Sequence, residues 1–396
     1  MADAGSERAP SLGRRVLVHG GFWFLLMGPH GLLLPYLALY LRDEAGLSGA
    51  QVGAVFAVMP LVAMASQPLW GVVADRTGLR ARVLVVLCLG SAAGYLALGA
   101  AQGFAALLAA MALVALFARA LIPLALSVSI PAFADHAHAF GGVRALGTVG
   151  FGAAMFGFPF LARDGAGAPD LALLFPVAAA LATAAAAAAL ALPARGALAL
   201  RSAPGEWRTL AHNGPYLRLL ALGAGAFAFQ NGPLELFPVL VHERGGDLGT
   251  IRTLWIWMLV PEVALLVGLG ATLARVGPRT LIAIGLAAGG LRWLGTAAVG
   301  SLAGLGPLQA LHAIVVVGLM LGAPLHLDAI VPPQLRSTAQ AGFAVVSVGI
   351  GGAASSLLAG WLLERGGSAA PCWAAGIGSL VLALAAPRWL APGARC

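Results

Sequence analysis

The stretch VLVHGGFWFLLMGPHGLLLPYLALY, residues 16–40, contains no Asp, Glu, Lys or Arg. It exceeds the roughly 20 apolar residues needed to cross about 30 Å of hydrocarbon, so it reads as a membrane-spanning helix. No small-residue cleavage site follows it directly, which argues against a cleaved signal segment.

Working outward, similar runs recur to the end of the chain, separated by short polar or Gly/Pro-containing segments. Helices are expected at Val16–Tyr40, Ala50–Val73, Val83–Ala100, Phe104–Ile130, Val143–Leu161 and Leu171–Leu192. After a longer Arg-bearing stretch, Pro193–Arg218, come Leu219–Leu240, Leu254–Leu273, Leu281–Val299, Leu308–Ile330, Ala339–Leu363 and Ala369–Trp389. Twelve spans use about 240 residues at about 20 each, which leaves short loops and no large soluble domain.

Composition agrees. Of 396 residues, 60% are hydrophobic and 10% charged, against roughly 25% charged in an average soluble domain. The net charge of +8 rests on 23 basic residues, all of them Arg, in an Ala- and Gly-rich chain that suggests a GC-rich bacterial genome. In a soluble protein such an excess would suggest nucleic acid; here it marks loops on the cytoplasmic side, and no nucleic-acid partner is expected. With the N-terminus inside, fifteen Arg fall on cytoplasmic segments (8, 14, 15, 76, 80, 82, 195, 201, 208, 218, 275, 279, 336, 388, 395) and five on outer loops (42, 163, 244, 252, 365). Arg119, Arg144 and Arg292 remain inside or at the edge of helices. The bias supports twelve helices with both termini in the cytoplasm, in a bacterial inner membrane. The three cysteines, Cys88, Cys372 and Cys396, have no evident pairing.

The chain divides into a six-helix half (1–192), a cytoplasmic linker (193–216) and a second six-helix half (217–396). Transporters built from such repeats place the substrate between the halves, near the midplane.

Between the second and third helices stands the sequence GVVADRTGLRAR, residues 71–82. Gly71 allows close helix approach, Asp75 can cap and charge-pair, Gly78 turns the chain, and Arg76 with its neighbours stays in the cytoplasm. This resembles the helix 2–3 loop signature of the major facilitator superfamily, with Leu79 where that family usually has a basic residue. The segment Arg275–Arg279 is a degenerate echo in the second half. Further patches, Leu259–Val263, Gly289–Trp293, Leu308–His312 and Phe140–Gly147, resemble the phenylpropionate permease group, related to the lactose permease and nucleoside/proton symporters. The resemblance implies an all-α membrane protein, with twelve helices in two pseudo-symmetric six-helix bundles, working by alternating access.

Charged groups deep in a bilayer cost about 2.5–3.5 kcal/mol each on insertion scales, so they mark function or pairing. Glu262 and Arg292 lie near the middle of adjacent helices, and a direct ion pair is the simplest expectation. His312 follows on the next helix; an imidazole titrates near 6.5 and both donates and accepts. These three are the expected proton-coupling residues, as the lactose permease resemblance also implies. The alternative is a static brace with a packing histidine. The sequence departs from the lactose permease at Val315, where a second acid would stand, and at Leu124–Ser127, where an acid would pair with the helix 5 Arg. Arg144 therefore lacks an acidic partner and favours an anionic solute such as an aromatic carboxylate. It could instead cap its helix at the membrane edge. Arg119 is either a second cavity cation or snorkels to the surface. His30, Gln230, Asn231 and Gln309 are candidate substrate contacts or interhelical hydrogen bonds. Glu235 is expected near the outer mouth, and the glycines of helices 5 and 11 either pack or form a rocking interface.

No HExxH, GxSxG or Walker loop is present, so no catalytic residue, metal or cofactor is expected. The expected function is secondary transport of a small organic solute with protons, by a monomer in the lipid bilayer. Uniport, a drug, sugar or nucleoside cargo, and a non-transporting sensor or scaffold are the alternatives.

Overall fold

A computed structural model describes residues 11–162, 169–193, 206–273 and 276–390. Twelve long helices carry the fold. In the first half they are α1 (Leu12–Leu39, running into a π turn at Tyr40–Glu44), α2 (Gly49–Thr77), α3 (Arg80–Ala100), α4 (Gly103–Ala132), α5 (Ala137–Leu161) and α6 (Leu174–Ala189). In the second half they are α7 (Gly214–Glu243), α8 (Leu248–Leu273), α9 (Pro278–Ala298), α10 (Leu302–Ile330), α11 (Pro333–Gly366) and α12 (Ala369–Trp389). Eleven of them are long and apolar enough to span a membrane. The exception is α7, long enough at 30 residues but diluted by Arg218, Gln230, Asn231, Glu235 and Glu243. Residues 194–205, most of the expected linker, lie outside the described residues.

Most helices run a turn or more beyond the apolar windows, because polar caps close them. Ser48 and Gln51 form a reciprocal capping box at the start of α2, satisfying N–H groups that have no helical partner. Asn213 caps α7 through the Tyr216 N–H. Consequently Arg15, Arg80, Arg218 and Arg252, expected in loops, lie within helices. Gly78 ends α2 at φ 66°, the left-handed conformation that favours glycine. Across that turn Asp75 Oδ1 accepts from Arg80 at 2.8 Å.

The packing repeats with an offset of six helices. α1 packs on α5 and α6, α2 on α4, and α3 on α4 and α6; α7 packs on α11 and α12, α8 on α10, and α9 on α10 and α12. Each of these first-half pairs thus has its counterpart in the second, and the halves are pseudo-symmetric bundles. Between them α2 meets α11, α5 meets α8, and α1 meets α7. At α2–α11 the backbones nearly touch: a Cβ on Gly49 or Gly53 would strike the backbone of residues 356–364, and one on Gly360 would strike α2. Glu364 closes this seam on the face opposite the termini, accepting from Ser48 Oγ (2.9 Å) and from the Ala50 N–H (2.8 Å). The α5 glycines act within their own half, since Gly150 lies against the Phe24 backbone. Those of α11 serve both purposes, Gly351 against α7 and Gly349 against Met64 of α2. Large apolar side chains such as Leu17 and Leu384 point outward, as a bilayer-facing surface requires.

Candidate functional site

On the second half, α9 places Arg292 inside the bundle, 1% exposed. Its Nε donates to Gln309 Oε1 at 2.8 Å, and one terminal nitrogen lies 3.0 Å from His312 Nδ1. The other lies 3.5 Å from Met258 Sδ, and the guanidinium stacks 4.1 Å from the Trp293 ring centroid. Trp293 Nε1 donates to Gln230 Oε1, and Gln230 Nε2 to Ser379 Oγ. A Cβ at Gly289 would strike the Gln230 amide and displace it from these two bonds.

The expected direct Glu262–Arg292 pair does not form; His312 stands between them. Its Nε2 lies 3.8 Å from Glu262 Oε2, while Nδ1 meets Arg292. Arginine only donates, so Nδ1 must accept, and the neutral ring carries its hydrogen on Nε2, toward Glu262. Arg292 turns its other donors to Gln309 and to Met258 of α8, and α10 carries the His312 imidazole between it and Glu262. Gln309, an expected substrate contact, is instead fully buried, with Oε1 on Arg292 and Nε2 donating to Thr296 Oγ1 at 3.0 Å. One turn further along α10, beside a π-helical stretch at Val317–Leu321, a cavity of about 150 Å³ opens. Gln230, Asn231, Arg292, His312, Val315 and Met320 are among its walls.

The first half offers less saturated cations. Arg144 sits seven residues inside α5, not at its end, 4.8 Å from the Trp23 ring and 3.8 Å from Met27 Sδ. Trp23 is held in place by Ser129 of α4, which accepts from its Nε1 at 3.0 Å. Arg119 on α4 has no side-chain hydrogen bond among the described residues, and its Nε is buried. His30 on α1 also leaves a buried Nδ1 unpartnered, and both arginines act on it electrostatically.

Glu235 is not near an open mouth. It is buried in α7, with Oε1 accepting from Asn231 Nδ2 (2.8 Å) and Oε2 from Ser356 Oγ of α11 (2.6 Å). Its i, i+4 spacing from Asn231 inside an apolar helix was the available signal.

Two pseudo-symmetric six-helix halves, taken with the family match and the permease relatives given next, define a membrane permease, a transporter of small solutes and not an enzyme. Residues 18–375 match the model of the MFS_1 like family, and the chain belongs to that family. It is 30% identical over 363 residues to the maltose permease of Geobacillus stearothermophilus, covering 87% of this chain and 86% of that one. A segment of 67 residues, 17% of the chain and 16% of the relative, is 37% identical to the raffinose permease of Escherichia coli. Among solved structures, the nucleoside transporter NupG (D323A mutant) superposes with a TM-score of 0.85 at 19% identity, over 95% of this chain and 99% of that one. An auto-inhibited POT family peptide transporter follows at 0.76 and 14% identity, over 97% and 99%.

Proposed function

We propose that the chain is a proton-coupled transporter of a small organic anion, working by alternating access with both termini in the cytoplasm of a bacterial cell, as a monomer. The observation that carries the reading is the Glu262–His312–Arg292 chain, at 3.8 and 3.0 Å. A proton on Glu262 leaves the His312–Arg292 contact intact. A proton on His312 Nδ1 sets two donors against each other and opens that contact. Proton position is thereby tied to the packing of α9 against α10, beside the cavity.

For the cargo, Arg144 and Arg119 give the first half two cations with no carboxylate within ion-pair distance among the described residues. The Trp23 face beside Arg144 suits an aromatic carboxylate. His30, Gln230 and Asn231 supply further polar contacts. In this reading the linker 193–216 tethers halves 1–192 and 217–396 while they rock about the α2–α11 seam. A sugar cargo is the second reading, supported by the likeness to a maltose permease over 87% of the chain.

The experiment is uptake into proteoliposomes with an imposed pH gradient, comparing aromatic carboxylates with maltose. Proton-driven carboxylate uptake that a protonophore dissipates is expected, and His312→Gln should keep binding while losing pH dependence. Uptake indifferent to the protonophore would sink the coupling, and maltose as the better cargo would sink the anion reading.

A further inference from the structure

Glu235 is a charge problem. It is 9% exposed, its two bonded neighbours are neutral, and no arginine lies within ion-pair distance of it among the described residues. A buried carboxylate held so would normally take up a proton rather than remain charged.

The hydrogens around it point the same way. Ser356 Oγ has one hydrogen and two acceptors beside it, Glu235 Oε2 at 2.6 Å and the Gly352 carbonyl at 3.2 Å. If Glu235 is ionised, the hydroxyl serves one and leaves the other. If Oε2 carries a proton, that O–H donates to Ser356 Oγ and Ser356 donates on to Gly352, so both contacts are filled. Asn231 Nδ2 donates to Oε1 in either state.

The place of this group gives it consequence. Gly232, one turn earlier on α7, donates its N–H to Ser355 Oγ of α11 at 2.7 Å. The carbonyl of Ser356 itself abuts Gly53 of α2, across the seam between the halves. The charged group that acts on Glu235 through space is Arg119, from α4 of the other half, whose buried Nε has no hydrogen-bond partner; Tyr95 of α3 also acts on Arg119, and Arg119 acts in turn on His30 of α1. Facing α11 brings the hydroxyls of Ser355 and Ser356.

We infer that Glu235 is a second proton-carrying site, separate from the Glu262–His312–Arg292 chain, with Arg119 as its counter-charge across the cleft. In the structure Glu235 holds the proton. When the cleft hydrates, Glu235–COOH gives H⁺ to cavity water, and the carboxylate left behind attracts Arg119, drawing α4 toward α7. Reprotonation releases Arg119. That Glu235 is protonated stands alone; that its proton travels with cargo rests on the proton-coupled reading above.

The test is infrared difference spectroscopy of the full chain in liposomes, following the carbonyl stretch of a protonated carboxyl through a pH titration. A band at neutral pH is expected that Glu235→Gln removes and His312→Gln keeps. Ser356→Ala should shift its frequency, and Arg119→Gln should raise the pH at which it disappears, because a nearby positive charge is gone. No such band in the native protein, or one that Glu235→Gln leaves unchanged, overturns the inference. Should Glu235→Gln fail to fold, a titration midpoint unmoved by Arg119→Gln overturns it instead. If the band behaves as expected but uptake ignores the proton gradient, the transport reading falls and the protonated Glu235 remains.

Discussion

Arg292 and Arg144 are the same residue type in opposite halves, and their surroundings differ in kind. Arg292 has its guanidinium filled by Gln309, His312, Met258 and the Trp293 face. Arg144 has a thioether and one indole face. A buried cation whose donors are already used holds helices together and can respond to its neighbours' protons. One with donors to spare is free for a ligand. The difference teaches that charge inside the bundle is no guide to role until its hydrogen bonds are counted.

The largest expected effect breaks or upholds that contrast directly. Arg292→Gln should destabilise the protein by about 3 kcal/mol or more, since two hydrogen bonds to a charged group are worth about 1.5–3 kcal/mol each. Arg144→Gln should cost about 1 kcal/mol or less, the worth of a cation–π contact. Thermal unfolding in detergent measures both, and similar losses would erase the distinction. A smaller effect sharpens it: Arg144→Gln should weaken a carboxylate by about tenfold relative to its neutral amide, the equivalent of about 1.4 kcal/mol. Equal weakening of both compounds, measured by binding to the purified protein, would remove Arg144 from the site.

The smallest effect lies on the rim of the first half, which has an ion pair that the cavity wall lacks. Asp135, in the loop between α4 and α5, accepts from both terminal nitrogens of Arg15 at 2.9 Å. That hydrogen bonding lowers its carboxyl from 3.8 to about 2. A lowered value means the pair stabilises the fold above pH 3.8 and that the contribution is lost as pH falls toward about 2. The pair is exposed, so the gain is small and screened by salt. Asp135→Asn should flatten the acid limb of the stability curve slightly, and an unchanged limb would deny the pair any role.

Much of the second-half wall was legible. Glu262, Arg292 and His312 stand out in apolar helices, and intramembrane ionisable groups are costly enough to single them out. Their pairing was not legible, because sequence gives depth along a helix but not rotation about it. Gln309 and His312 are three residues apart on α10, yet Gln309 is sealed against Arg292 and Thr296 while His312 reaches the cavity. Glu235 was displaced for a related reason. Its partner Ser356 lies 121 positions away, and only α7–α11 packing brings the two together.

By itself the sequence determined the membrane class, the twelve long helices and the α2–α3 turn, because each follows from local physics: hydrocarbon thickness, the cost of charge, and a glycine at positive φ. Tertiary structure alone decided that His312 separates Glu262 from Arg292, that Gln309 is a brace, and that Glu235 faces a serine rather than an outer mouth. Those facts depend on which helices touch and how each is turned, and a hydrogen bond made across a bundle leaves no periodic mark on either strand of sequence that makes it.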